Sequence, residues 1–307
     1  MLRTSLLRPL VVVSLLALTA GASTFGDDPV GSDAVARERL QEMLSAGDDG
    51  LIVATFKRYP NATLPFIDSY LEGGLAMMEK GSANPTEAAR NALQSFRMGV
   101  RFAKLADQAF GATDFSDYAT AFASWSPSEQ KAFREGQKLF REGMKLAKSD
   151  AMKAIETLER SLRLAEGLHD TWGQAMAQGA LADLYLAQCE GKTGDEAETF
   201  LSKADQSSRA AVTLNRRVRL DEDRVSALLT MAKVVKALGG KVEAQATPLQ
   251  EAWSLIRRNE AMSHELRKAV ADALMAAFGE LKRPDAVEEV RRDLAGATQP
   301  AAQPVKQ

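Results

Sequence analysis

The sequence predicts an all-α fold, and three observations carry that prediction. Alanine is abundant while aromatic residues make up only 6% of the chain, a balance that suits close-packed helices better than sheets. Two segments carry complete helix-start signatures, and no stretch shows a strong strand-like alternation of apolar and polar residues. With 45% hydrophobic residues the 307-residue chain can bury a real core, as two ordinary domains or as one elongated array.

Residues 1–22 read as a secretory signal. Arg3 and Arg8 precede the apolar run Leu10–Leu18, and Ala20-Gly21-Ala22 supplies small residues for cleavage after Ala22. The alternative, a mitochondrial presequence, would need an amphipathic face that this run lacks. An exported protein, periplasmic or secreted, is the expectation. The apolar run falls far short of the roughly 20 residues that span a bilayer, so no stable membrane span is expected after its removal. Residues 23–32 form a Gly- and Pro-containing flexible leader, 33–125 an N-terminal helical region, 126–295 a helical repeat region, and 296–307 a low-complexity, disordered tail.

Within 33–125 the helix starts are explicit. Asn84-Pro85-Thr86-Glu87 offers an N-cap, a proline at the first helical position and an acid at the third; Ser126-Pro127-Ser128-Glu129 repeats the arrangement. Ala89, Leu93, Phe96 and Val100 predict the buried stripe of the helix after Asn84. Phe66, Tyr70, Leu71 and Leu75 predict that of the helix before it, with Pro65 in its first turn and Asn61 as its cap. Asn61-Ala62-Thr63 also fits the glycosylation triplet, a pattern that three residues often meet by chance. Gly73-Gly74 costs helix stability and points to close approach by a neighbouring helix.

From Phe133 to Leu294 a pattern recurs. Leu181, Ala182 and Tyr185 precede Ala197, Leu201 and Ala204. Leu139 and Gly143 precede Ala154, Leu158 and Ser161; Leu228, Ala232 and Val235 precede Gln245, Leu249 and Ala252; Leu274 and Phe278 precede Ala286 and Val290. Small residues recur where two antiparallel helices must cross closely, and larger ones fill the groove beside them. These residues resemble the tetratricopeptide repeat. Positions 154, 197, 245 and 286 are 43, 48 and 41 residues apart, longer than the family's period of about 34. CEGKTG at 189–194 and Gly239-Gly240 mark turns, the first of them longer than the family's. The resemblance implies a right-handed solenoid of helical hairpins whose first helices line a concave groove, and a protein or peptide partner held there. In the best-matching hairpin Gln178, Asp183 and Gln188 lie outside the packing set and are the partner-binding candidates.

Catalytic chemistry is thinly represented. His169 and His264 are the only histidines, and neither has a second ligand at metal spacing. His169 falls in a turn, and Ser263 reads as the N-cap of a helix beginning at His264. Cys189 has no local base to activate it. Glu288-Glu289 and Asp221-Glu222-Asp223 read as solvated or helix-N-terminal charges. Neither a phosphate-cradling glycine loop nor a Gly-x-Ser-x-Gly elbow is present. The expectation is a non-catalytic adaptor without cofactor or metal. The enzymatic alternative is a helical-array envelope hydrolase with a glutamate general acid; a third reading makes the N-terminal helices a separate ligand-binding or assembly domain. A formal charge of -2, from 39 basic and 41 acidic residues, argues against a nucleic-acid partner. Arg216-Arg217-Val218-Arg219, Arg257-Arg258 and Arg291-Arg292 could align as an anion-binding ridge, or simply serve helix C-termini.

Overall fold

The computed structural model describes residues 48–80, 84–259 and 262–296. The predicted signal segment (1–22), the leader (23–32) and all but the first residue of the tail lie outside the described residues. Within them there are twelve helices and no strand: α1 (Asp49–Arg58), α2 (Pro60–Glu79), α3 (Pro85–Phe110), α4 (Asp114–Ser124), α5 (Pro127–Leu146), α6 (Ala151–Gly167), α7 (Thr171–Gln188), α8 (Gly194–Arg217), α9 (Asp221–Ala237), α10 (Val242–Arg258), α11 (His264–Glu280) and α12 (Pro284–Gly296).

The helix starts form as read. Asn84 Oδ1 accepts the Glu87 amide at 3.2 Å. Ser126 and Glu129 close a full capping box, Ser263 caps α11, and Asp150 and Asp170 cap α6 and α7. Each capped amide is one fewer orphan donor at a helix end.

Two details at the start of α2 differ from expectation. The helix begins at Pro60, a turn earlier, so Pro65 lies inside it. Asn61 therefore does not cap α2. Its Oδ1 accepts the amide of Asp221, 160 residues away, at 2.7 Å, and so satisfies a free donor in the first turn of α9.

The stripe on α3 is also rotated from the predicted one. Ala92, Phe96, Gly99, Phe102, Ala103 and Ala106 are buried, whereas Leu93 is 49% exposed and Ala89 is exposed. The cause is the closeness of the α2–α3 crossing. A Cβ at Gly74 would sit 3.0 Å from the Ala92 carbonyl oxygen and 2.7 Å from the Phe96 ring. Only small side chains fit that seam, so the face carrying them turns inward and Leu93 turns out.

From α5 onward each helix packs on the next. In addition the backbones of α5, α7, α9 and α11 approach one another in sequence, while α6, α8, α10 and α12 are joined by longer side-chain ion pairs, Lys203–Glu159, Arg216–Glu251 and Arg257–Glu289. The recurring small positions are at the crossings. Gly143, Ala154, Ser161, Ala182, Ala204, Ala232 and Ala252 are buried; Ala197 and Ala286 are half-buried. Ser161 Oγ donates to the Gly136 carbonyl across the α5–α6 hairpin at 2.8 Å, as Ser95 Oγ does to Tyr70 across α2–α3 at 2.7 Å. The helices of this region run from 13 to 24 residues.

Three turns share one device. His169, Arg219 and Lys282 adopt left-handed backbone angles near φ 55–58°. The residue after each donates its amide back across the helix end: Asp170 to Ala165, Leu220 to Asn215 and Arg283 to Phe278, at 2.9–3.0 Å. Leu168 and Val218, just before two of these residues, are buried in the same core as the N-terminal aromatics, together with Phe133 and Leu220. The N-terminal helices thus share a core with one end of the array.

Candidate functional site

The layer formed by α5, α7, α9 and α11 is the surface on which the candidate residues lie. Gln178 and Gln188 are half-buried on α7, and Asp183 is exposed. Asp183 is not wholly free for a partner, because its Oδ1 accepts from Thr230 Oγ1 on α9 at 2.6 Å. Surrounding protein raises the Asp183 carboxyl above its ordinary value, offset by the Thr230 hydrogen bond and by Lys233. The three residues share one helix but no common contact.

Helix α2 crosses part of this layer. Asn61 holds the first amide of α9, Asp68 faces Asp170 at the start of α7, and Glu72 and Glu79 both pair with Arg134 on α5. Arg134 is the hub. Its Nη1 lies 2.5 Å from Glu72 Oε2, its Nε 2.7 Å from Glu79 Oε1, and it also donates to Gln137, which in turn donates to Glu72. Tyr118 on α4 donates its hydroxyl to Asp68 at 2.5 Å. Trp125 Nε1 donates to the Leu168 carbonyl at 3.3 Å.

The electrostatics follow from burial. Asp68 is held well above the usual carboxylate range, chiefly by desolvation and then by the neighbouring Glu72 charge, with Asp170 adding to both. Asp170, which accepts the Gly173 amide at 2.9 Å, is pushed up to about 6 by burial and secondarily by Glu72. Burial also drives the Tyr118 hydroxyl upward, helped by Asp68 and Asp170. Sequence reasoning missed this cluster. The signal was present: Asp68 and Glu72 are acids four residues apart in the otherwise apolar run LPFIDSYLEGGL, a position where a charge needs a partner.

Asp221-Glu222-Asp223 is less solvated than predicted. Asp223 is half-buried and its carboxyl is pushed up to about 6, by desolvation first and by Glu222 second. Cys189 caps α7, its thiol directed at the Tyr185 carbonyl at 3.2 Å, and burial raises it despite Lys192. That is the wrong direction for a nucleophile. His169 is exposed in its turn, and His264 is exposed at the start of α11. The arginine pairs do not form a free ridge. Arg216 and Arg224 share Glu251, Arg217 binds Asp114 at 2.6 Å, Arg257 lies near Glu289 and Asp293, and Arg291 pairs with Glu288.

Among the described residues no three His, Cys, Asp or Glu side chains are grouped to hold a metal ion. No described helix is long and apolar enough to cross a membrane. An open depression on α8 is lined by Asp195, Glu198, Thr199, Ser202 and Lys203, and its Glu198 is exposed. Compared with known proteins, the chain matches no family model and no curated protein.

Proposed function

We propose that the chain is an exported, non-catalytic scaffold: a tetratricopeptide-like stack of helical hairpins that holds a protein or peptide partner along its first helices. One observation carries this reading. The backbones of the first helices α5, α7, α9 and α11 approach one another, while the second helices are bridged by long charged side chains, Lys203–Glu159, Arg216–Glu251 and Arg257–Glu289, and a stack closer on one side than the other curves toward that side. Asp183 lies on the same layer, and Gln178 and Gln188 belong to the same helix. The stretch of the layer not crossed by α2 is the partner's place, because the α2 stretch is already filled by hydrogen bonds and apolar contacts of the chain itself.

The enzymatic alternative draws its best support from Asp68 and Asp170, whose carboxyls are raised, rather than from a glutamate. Both are already hydrogen-bonded within the protein, and an acid for catalysis must reach a substrate proton. The scaffold reading is preferred for that reason.

The test is crosslinking from Gln178 and Gln188 in the full chain in its native envelope fraction, followed by recovery of the adduct. One protein partner, lost in Asp183→Lys, is the expected result. Recovery of only a glycan or small metabolite that is turned over would overturn the scaffold reading.

A further inference from the structure

Helix α2 already lies across part of the first-helix layer, and its sequence is patterned for that place. Asn61, Asp68, Glu72 and Glu79 are seven, four and seven residues apart, a spacing that puts all four on one face of a helix. That face meets three first helices in turn. Asn61 holds the Asp221 amide at the start of α9, Asp68 lies by Asp170 at the start of α7, and Glu72 and Glu79 pair with Arg134 on α5. Seven residues of helix rise about 10 Å, close to the separation of packed neighbouring helices. Helix α2 therefore crosses the N-terminal halves of α5, α7 and α9 with an acid-bearing face turned to them.

The C-terminal halves of the same three helices also lie side by side: Leu181 and Leu184 of α7, Val234 of α9 and Phe140 of α5 belong to one core cluster. The cationic line that begins at Arg134 continues along α5 through Lys138, Arg141 and Lys145, at steps of four, three and four residues, and all three are exposed. Between Lys138 and Lys148 the chain carries four cations and one acid, Glu142. Arg141 and Lys145 form no ion pair among the described residues, and Lys138 reaches only Glu135, at 3.5 Å. On α9 Lys233 and Lys236 are exposed, the second of them 3.9 Å from Glu280. Between these two banks α7 offers small residues. A Cβ at Gly179 would meet nothing within 4 Å, Ala180 is beside it, and Asp183, the only charged residue of α7, is held by Thr230 and faces Lys233.

We infer that this stretch takes an acidic helix from the partner, laid across the C-terminal halves of α5, α7 and α9 alongside α2. The inference rests on the scaffold reading and adds the partner's chemistry to it. Two helix separations part α5 from α9, so the acids that meet the two banks are about 14 residues apart. The residues between them, over Gly179 and Asp183, are small and uncharged. A single exposed ion pair contributes little, so both banks are needed.

Binding of designed peptides to the full chain, read by fluorescence anisotropy at low salt, tests it. The probes are alanine- and glutamine-based helical peptides of roughly 20 residues. One carries glutamates at both ends and none between. A second has the same composition with the glutamates gathered in the middle, and a third interrupts the first with proline. The first is expected to bind, and the other two to bind about tenfold more weakly. Arg141→Gln with Lys145→Gln, and separately Lys233→Gln with Lys236→Gln, should each weaken the first peptide about tenfold. All four side chains are exposed, so these variants are expected to fold with unchanged melting temperatures. Arg97→Gln with Lys104→Gln removes the same charge from the exposed face of α3 and is expected to leave binding unchanged. Absence of binding, equal binding of either control peptide, or equal weakening by the α3 variant would overturn the inference. So would attachment to phosphatidylglycerol vesicles that is lost in the α5 variant while no peptide binds. None of these results alters what is crosslinked to Gln178 and Gln188, so the scaffold reading stands or falls separately.

Discussion

The two halves of the molecule build their cores from different materials. Between Phe56 and Phe133 a chain of rings runs through the core: Phe66 stands 5.0 Å from Phe102, Phe122 lies 4.3 Å from Trp125 and 5.1 Å from Phe133, and Phe96, Phe115 and Tyr118 are buried with them. From α8 to α12 the core is alanine, valine, leucine and isoleucine with only Trp253 and Phe278 as buried rings. Small residues let helices cross closely, and large rings fill wider gaps between them. The difference therefore separates a ring-rich end from an aliphatic one.

The strongest way to break that comparison is to remove a ring. Phe122 is 2% exposed and touches Phe96, Tyr118, Trp125 and Phe133. Phe122→Ala is expected to cost about 3–5 kcal/mol in urea unfolding, since no neighbour can collapse into the space. Because Phe133 shares the cluster, Phe122→Ala with Phe133→Ala should cost less than the sum of the two. Strict additivity would show that the rings are independent and would undo the contrast.

The contrast also explains what could be read in advance. The helical class and the capped starts at Asn84, Ser126 and Ser263 rest on local chemistry, which a sequence displays directly. Recurring small residues such as Ala204 and Ala252 were legible because their spacing repeats. Asn61 was not, since its partner amide belongs to Asp221 and only the fold brings them together. The inward face of α3 was misread by one position. There the seam selects glycine and alanine over leucine, and hydrophobicity alone ranks Leu93 first. The cluster at Asp68, Glu72, Asp170 and Arg134 joins three separate stretches of chain. Only the embedded acids of α2 hinted at it. Gln178, Asp183 and Gln188 followed from helical register, yet the Thr230 bond that occupies Asp183 comes from another hairpin.

The aliphatic half should carry its own pH dependence. Asp223 on α9 is raised from 3.8 to about 6, mainly by burial. The folded state therefore binds this proton more tightly than the unfolded chain does. Its contribution is fully present below about pH 4 and is lost as pH rises through 6, a difference of up to roughly 3 kcal/mol. Asp223→Asn should flatten that part of a stability profile measured from pH 4 to pH 7. An unchanged slope would place the titration at another of the raised carboxyls.

Glycine substitutions sharpen the comparison at the next scale. A Cβ at Gly143 would meet Leu158 Cγ at 2.6 Å and the Ala154 carbonyl oxygen at 3.4 Å, at the α5–α6 crossing. Gly143→Ala is expected to destabilise by about 1–3 kcal/mol through overpacking. Gly179, inside α7, has nothing within 4 Å of such an atom. Gly179→Ala should stabilise by up to about 1 kcal/mol through helix propensity. Opposite signs for one chemical change would mark the crossing; like signs would deny it.

The smallest effect comes from the shared turns. Lys282 and Arg219 both hold left-handed backbones, with φ of 56° and 58°, where a Cβ is strained and glycine is not. Lys282 is exposed at the α11–α12 turn, so Lys282→Gly should lose little and stabilise by about 0.5–1 kcal/mol. Arg219 additionally places its guanidinium 5.1 Å from the centre of the Phe110 ring, a contact of comparable size, about 0.5–1 kcal/mol. Arg219→Gly relieves the strain and loses the contact, so it should leave the melting temperature nearly unchanged. If both glycines stabilise equally, the turn at Arg219 is only a turn, and the ring of Phe110 contributes nothing to holding the aromatic end against the aliphatic one.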